Sequence, residues 1–159
     1  MSVSEILKKL HEIVVLNKWD RRFAPDKGTD FFSRYGKDWI NNFINAEKEK
    51  AQGKAKANNW LAVAKSAEAK NAQKEINKLI QAYKSSKGVT DQQATKALDA
   101  MLYALRSADG DYDQVGQFAD SIDKSITNMI TGDNLNKPVL DVLNETNEWT
   151  RDILGDAEW

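Results

Sequence analysis

The chain has 159 residues, of which 41% are hydrophobic and 30% are charged, and it contains no cysteine and only two prolines. This composition is typical of a water-soluble globular domain, and it excludes a disulfide scaffold and any zinc site built on cysteine. No stretch approaches the roughly 18 consecutive apolar residues of a membrane-spanning helix. Because a chain of this length needs only one hydrophobic core, we predict a single domain over residues 1–159.

The first residues alternate between apolar and charged side chains, unlike the continuous apolar core of a signal peptide. The absence of cysteine also favours a reducing compartment. We therefore expect a cytoplasmic protein, and we leave open export that needs no cleaved signal.

The net charge of −1 conceals a basic and an acidic half. Residues 1–88 carry 18 basic and 10 acidic side chains, a net charge of +8, whereas residues 89–159 carry 5 basic and 14 acidic side chains, a net charge of −9. One interpretation is that the two halves attract each other and pack together; the other is that one half faces an oppositely charged partner. A basic surface suits nucleic acid, and an acidic surface suits a basic protein or imitates a phosphate surface.

A first helix is predicted from Ser2 to about Asn17. Ser2 and Glu5 have the spacing of a capping box, in which each side chain bonds the backbone N–H of the other residue. The loop that follows contains two side-chain types that are enriched at binding hot spots, tryptophan and arginine. Its candidate partner-binding residues are Trp19, Arg21, Arg22 and Phe23. The alternative is that Trp19 and Phe23 close one end of a helical bundle.

The most aromatic segment of the chain extends from Phe31 to Ile44, after Thr29 or Asp30 as a cap. Its apolar side chains cover an arc of about 220° on a helical wheel, twice the stripe of an ordinary surface helix. We therefore predict that an aromatic helix over residues 30–46 lies at the centre of the bundle, or keeps one side for a partner or a second copy of the chain. Ile40 and Ile44, at the edge of the arc, are candidate partner-binding residues.

Residues 46–58 are rich in lysine and alanine and contain no large apolar side chain, which indicates a solvated or flexible segment. Four further helices are predicted at about residues 59–85, 90–107, 112–131 and 136–155, and Thr90 and Gln93 form a second capping box. No segment has the pattern of a strand. The predicted fold is therefore an all-α, single-domain bundle of about six helices. Trp159 lies in a tail, residues 156–159, where it is a candidate docking residue or a clasp on the bundle.

Asp109, Asp111 and Asp113 alternate as the carboxylates at positions 1, 3 and 5 of an EF-hand calcium loop do. The match is incomplete, because position 6, a glycine in that loop, is Gln114, and position 12 is Asp120 instead of glutamate. We retain the three aspartates as a candidate calcium site. The alternative is that they cap the next helix and complement its dipole.

No motif for catalysis, metal binding by histidine or phosphate binding occurs in the chain, and His11 is its only histidine. We therefore predict no catalytic residue and no cofactor. The leading hypothesis is a non-catalytic helical protein-binding module of the inhibitor, immunity, adaptor or host-interaction type, with another protein or a second copy of the chain as its partner.

Two alternatives remain. The first is a nucleic-acid-binding protein that uses the basic half, in which Lys70, Lys74 and Lys78 form an i, i+4 row. The second is an enzyme whose site is not visible in the sequence.

Overall fold

The computed structural model describes residues 2–15, 30–35, 38, 42, 67–107 and 112–146. In these ranges 87% of the residues are helical and none lies in a strand, which confirms the all-α prediction. The α-helices are α1 (Val3–Leu10), α2 (Phe31–Tyr35), α3 (Ala67–Lys87), α4 (Asp91–Ser107), α5 (Tyr112–Gln117), α6 (Ala119–Met129) and α7 (Val139–Thr146). A π-helical turn (His11–Val15) follows α1, and a 3-10 turn (Gly132–Asn136) precedes α7. None of the helices in these ranges combines the length and the apolar character needed to cross a bilayer.

Helix α4 is the common neighbour of the other described α-helices. It contacts α1, α2, α3, α5, α6 and α7, and every side chain from residue 96 to residue 105 is buried. Small side chains along one side of α4, within an arc of about 120° at 100° per residue, allow the neighbours on that side to approach it closely. The fully buried alanines are Ala94, Ala97, Ala100 and Ala104. Helix α4 therefore lacks the polar face of an ordinary surface helix.

The remaining core comes from the apolar stripes that helical spacing predicts. Helix α1 buries one row of apolar side chains on successive turns, and α3 and α6 bury similar rows against α1 and α4. These side chains are Val3, Ile6, Leu7, Leu10, Ala72, Ile76, Leu79, Tyr83, Ile122, Ile126 and Met129. Packing against several neighbours, more than helix propensity, stabilises helices of this length.

Of the predicted aromatic helix, the structure describes the start, residues 30–35, together with Asp38 and Asn42. Helix α2 packs on α4, and Phe32 is buried there. Further along, the Asn42 N–H bonds the Asp38 carbonyl at 3.0 Å, as in a helix. The other residues of the predicted aromatic helix, the lysine-rich segment 46–58 and the tail 156–159 lie outside the described residues.

Both predicted capping boxes are present. The Ser2 hydroxyl accepts from the Glu5 N–H at 3.2 Å, and the Glu5 carboxylate accepts from the Ser2 N–H at 3.3 Å. At the start of α4, the Thr90 hydroxyl accepts from the Gln93 N–H at 3.1 Å, and Gln93 Oε1 accepts from the Thr90 N–H at 2.9 Å. Gln93 Nε2 also donates to the Ile130 carbonyl at 2.8 Å. This cap therefore also satisfies a carbonyl at the C-terminal end of α6.

Replacing Thr90 with alanine is expected to lower the free energy of unfolding by about 1 kcal/mol, because the Gln93 N–H loses its acceptor. Urea unfolding followed by circular dichroism measures the change. The matched control is Thr95→Ala on the same helix, where the hydroxyl donates to the Asp91 carbonyl at 2.8 Å inside the helix. Such a bond adds little to a helix, so we expect no loss there. An equal loss in both variants would show that the cap is not the cause.

The fifth predicted helix is two helices in the structure. Phe118 separates α5 from α6 with a non-helical backbone (φ −107°, ψ 15°), and its N–H bonds the Val115 carbonyl at 3.0 Å. Gly116 lowers the helix propensity of this stretch by about 1 kcal/mol relative to alanine, which favours a break here. The apolar stripe still faces the core on both sides of the break, since Val115 and Ile122 are buried.

Candidate functional site

Three charged side chains are buried where α2, α4 and the N-terminal end of α7 meet. Asp30 is 7% exposed, Lys96 is 4% exposed and Asp99 is 1% exposed. Charged side chains are almost never buried to this extent unless they are paired. We refer to Asp30, Lys96 and Asp99 as the buried ionic cluster.

Lys96 and Asp30 form the ion pair of the cluster. Lys96 Nζ lies 2.8 Å from Asp30 Oδ2, and it also donates to the Lys137 carbonyl. Asp30 Oδ1 accepts from the N–H of Val139 at 2.9 Å. This N–H belongs to the first turn of α7, where backbone donors have no partner within their own helix. Asp30 therefore connects α4 to the positive end of the α7 dipole.

Asp99 binds the start of α2. One of its oxygens accepts from the Phe32 N–H at 2.6 Å, and the other accepts from the Ser33 N–H at 2.9 Å and from the Ser33 hydroxyl at 2.6 Å. These two N–H groups are unsatisfied donors of the first turn of α2. A side chain of α4 therefore caps α2, whereas Asp30, which the sequence suggests as a cap, bonds Lys96 and Val139 instead.

The protonation of Asp99 depends on competing influences. Burial raises its pKa to about 7, and the negative charge of Asp30 acts in the same direction, while the hydrogen bonds from Ser33 and Phe32 lower it. The net charge of the cluster is −1 when both carboxyls are ionised and zero when one of them holds a proton.

The groups of the cluster are engaged by the protein itself. Each carboxylate oxygen of Asp30 and Asp99 accepts a bond from Lys96 or from the backbone or hydroxyl of another residue. Among the described residues, no three histidine, aspartate, glutamate or cysteine side chains are grouped so as to hold a metal ion. The geometry of the cluster suits the joining of helices better than the binding of a substrate.

Nearly all of the sequence-predicted site residues lie outside the described part of the chain. They are Trp19, Arg21, Arg22, Phe23, Ile40, Ile44, Asp109, Asp111 and Trp159. Asp113 is described and is exposed in the first turn of α5, where a carboxylate complements the helix dipole. The calcium site and the partner-binding residues remain predictions.

The exposed acidic side chains of residues 112–146 are largely uncompensated. This segment has six acidic and two basic side chains. Two of its acids are paired: Asp123 lies 3.0 Å from Lys87 of α3, and Glu145 lies 3.2 Å from Lys137. The other four are exposed and have no ion pair among the described residues: Asp113, Asp120, Asp133 and Asp141. These four residues lie on α5, α6, the 3-10 turn and α7, and we refer to them collectively, for their shared exposure and charge, as the acidic surface.

Exposed lysines line α3. Lys70, Lys74 and Lys78 are all exposed and follow one another at the i, i+4 spacing that the sequence indicates. Lys78 lies 3.3 Å from Glu75 on the same helix. Of the described residues, only Lys87 and Asp123 form an ion pair between α3 and residues 112–146. Among the described residues, three ion pairs join residues 1–88 to residues 89–159: Lys84 with Asp91, Lys87 with Asp123, and Asp30 with Lys96.

The sequence-based predictions missed the buried ionic cluster. Neither Lys96 nor Asp99 is among the residues that the sequence analysis singles out. A signal was present, however, because both lie in the run KALDAMLYAL, which has no polar stripe to which a charged side chain could belong.

Comparisons of the chain with family models, with curated proteins and with solved structures found no match. The proposals below therefore rest on the residues of this chain alone.

Proposed function

We propose that the protein is a non-catalytic helical protein-binding module whose acidic surface recognises a basic partner protein. The observation that carries this proposal is the uncompensated charge of the acidic surface. Its four carboxylates, Asp113, Asp120, Asp133 and Asp141, are exposed, and the lysines of α3 do not pair with them.

Uncompensated charge of one sign has a physical cost and a use. Like charges on one molecule repel each other and destabilise the compact state, but they attract an oppositely charged partner and raise the association rate. A bundle whose helices are joined by buried bonds presents such charges without further ordering on binding, which favours affinity.

The buried ionic cluster supports a non-catalytic role. Its carboxylate oxygens already accept bonds from the protein, so they are not held ready for a substrate. Enzymes place perturbed carboxyls in accessible clefts, whereas Asp99 is 1% exposed between packed helices.

A second candidate function is nucleic-acid binding through α3. The exposed row of Lys70, Lys74 and Lys78 favours it, because a cationic face along one helix can follow a phosphate backbone. Such binding would weaken steeply with increasing salt, since each phosphate contact releases counterions.

Two charge-reversal variants distinguish these functions. Asp120→Lys/Asp141→Lys alters the acidic surface, and Lys70→Glu/Lys74→Glu alters the lysine row by the same number of charges. Partners captured from cell extract are identified by mass spectrometry, and the purified partner is then titrated against each variant. We expect the acidic-surface variant to bind at least about tenfold more weakly, which is about 1.4 kcal/mol, and the lysine variant to bind as the original chain does.

The same proteins are tested against fluorescent duplex DNA and single-stranded RNA at low salt. We expect no binding by any of them. If the original chain and the acidic-surface variant bind nucleic acid and the lysine variant does not, the nucleic-acid function replaces the proposal. A protein partner that the lysine variant loses and the acidic-surface variant keeps would place recognition on α3 and contradict the proposal.

A further inference from the structure

The carboxylate of Asp30 bonds a helix that is far from it in the sequence. Asp30 directly precedes α2, and its two oxygens accept bonds from Lys96 of α4 and from the N–H of Val139, the first residue of α7. Asp30 and Val139 are separated by 109 positions. The residue that leads into α2 therefore also provides an acceptor for the start of α7.

We propose that the buried ionic cluster couples α2 to α7, so that displacement of α2 from α4 releases the N-terminal end of α7, and release of that end loosens α2.

The polar bonds that hold α2 on α4 come from adjacent residues. Asp30 Oδ2 lies 2.8 Å from Lys96 Nζ, and the N–H groups of Phe32 and Ser33 donate to Asp99 at 2.6 and 2.9 Å. The Phe32 side chain is buried where α2 packs on α4. Because these groups belong to one short segment, Asp30 cannot keep its position when α2 leaves α4.

The start of α7 depends on Asp30 and Lys96 as well. The Val139 N–H donates to Asp30 at 2.9 Å, and the Lys96 ammonium donates to the carbonyl of Lys137, which lies just before α7. Lys96 therefore bonds the residue before α2 and the segment before α7 at the same time.

Departure of Asp30 would leave two buried donors without the carboxylate. The Lys96 ammonium is in a side chain that is 4% exposed, and Val139 is fully buried. A buried charge or donor without a partner is strongly unfavourable, so water has to replace the lost acceptor. Water reaches the Val139 N–H only when the N-terminal end of α7 moves outward, and the two movements are therefore linked.

The cluster is a more specific connection between these helices than apolar packing is. Helices α2 and α7 both pack on α4. The hydrophobic effect has no direction, so apolar side chains tolerate small shifts, whereas hydrogen bonds weaken steeply when donor and acceptor are misaligned. A displacement of α2 is therefore transmitted to α7 through Asp30 and Lys96.

Both coupled helices can be reached from solvent. Ser33 and Arg34 of α2 are exposed, and so are Asp141 and Glu145 of α7. Coupling between two sites is reciprocal. A molecule that binds the outer side of α7 and a molecule that displaces α2 would therefore change each other's affinity by the same factor. This inference does not depend on the proposed basic partner, because it concerns bonds within the chain.

Hydrogen exchange of the full-length, unsubstituted chain tests the coupling. The amides of Phe32, Ser33 and Val139 are followed by nuclear magnetic resonance in increasing urea, below the concentration that unfolds the protein. We expect one opening to expose all three, so that their protection agrees within about threefold, has the same urea dependence and is lower than that of residues 96–105. A Val139 amide with a different urea dependence, or three amides that exchange only together with residues 96–105, would overturn the proposal.

A substitution in α2 tests transmission to α7. Phe32→Ala weakens the packing of α2 and leaves the charged groups of the cluster unchanged, so we expect the protection of the Ser33 and Val139 amides to fall by similar factors, at least about tenfold. The matched control is Leu7→Ala, which truncates a fully buried side chain of α1 and should lower Val139 protection by less than about threefold. An unchanged Val139 amide in Phe32→Ala, or an equal fall in both variants, contradicts the coupling. If Phe32→Ala does not fold, the urea dependence of the unsubstituted chain decides.

A substitution at the start of α7 tests the reverse direction. Val139→Pro removes the N–H that bonds Asp30, and proline is accepted at the first position of a helix. The control is Val139→Ala, which truncates the same side chain and keeps the N–H. We expect the protection of the Ser33 amide to be at least about threefold lower in Val139→Pro than in Val139→Ala. Equal protection of Ser33 in the two variants would show that release of α7 does not loosen α2, and the proposal would be wrong.

Discussion

Replacing Lys96 with methionine is expected to lower the free energy of unfolding by about 3–5 kcal/mol, because removal of one partner leaves an uncompensated buried charge. Methionine has a similar length and fills the same space, so the effect comes from the ammonium. The Asp30 carboxylate would keep only the Val139 N–H as a donor, and the Lys137 carbonyl would lose a bond. Thermal unfolding should show a melting temperature lower by roughly 6–20 °C for a chain of this size.

Two further variants identify the cause of this loss. Lys78→Met removes an exposed lysine that lies 3.3 Å from Glu75, and an exposed pair of this kind contributes little, so we expect a change within about 0.5 kcal/mol. Lys96→Met/Asp30→Asn removes both charges of the buried pair and retains an acceptor for the Val139 N–H. This double variant should be more stable than Lys96→Met alone. A Lys96→Met protein as stable as Lys78→Met would show that the buried pair does not exist in solution.

Replacing Asp99 with alanine is expected to lower the free energy of unfolding by about 2–3 kcal/mol at pH 6. The buried Phe32 N–H would lose its 2.6 Å bond to Asp99, and the loss of a buried bond of this kind costs about 1–3 kcal/mol. Ser33 is exposed, so water can replace its two bonds to Asp99 at a smaller cost. Although three hydrogen bonds to Asp99 are removed, the expected loss is therefore well below the cost of leaving three buried donors unsatisfied.

The same substitution should cost less at higher pH. Because the pKa of Asp99 is raised to about 7, its carboxyl is ionised at pH 8 in the original protein, and this ionisation lowers the free energy of unfolding. Alanine does not titrate, so the variant has no such loss. Urea unfolding at pH 6 and pH 8 measures both losses. The control is Asp133→Ala, which removes an exposed carboxyl of the 3-10 turn and is expected to change the free energy of unfolding by no more than about 0.5 kcal/mol. Equal losses at the two pH values would mean that Asp99 does not change its protonation state between them.

The helices and their ends were predictable because the signals are local. Ser2 with Glu5 and Thr90 with Gln93 are three positions apart, and the side chains that must meet are brought together by the first helical turn itself. The apolar stripes of α1 and α6 are also properties of single segments. Such signals do not depend on how the helices pack in three dimensions.

The buried ionic cluster was not predictable in this way, because its bonds depend on which helices meet. Nothing in the residues around Asp30 indicates that its carboxylate bonds Val139, 109 positions later. The position of α4 was missed for a related reason. Its alanines bury little area each, so the pattern of the segment does not mark it as more central than the aromatic residues after Phe31.

The contacts of α4 also determine how the bundle can come apart. Because α4 touches every other α-helix that the structure describes, removal of any one of them exposes part of its apolar surface to water. Loss of α4 itself would deprive six helices of a shared partner at once. We therefore expect the described helices to unfold as a single cooperative unit, with the slowest hydrogen exchange in the backbone between residues 96 and 105.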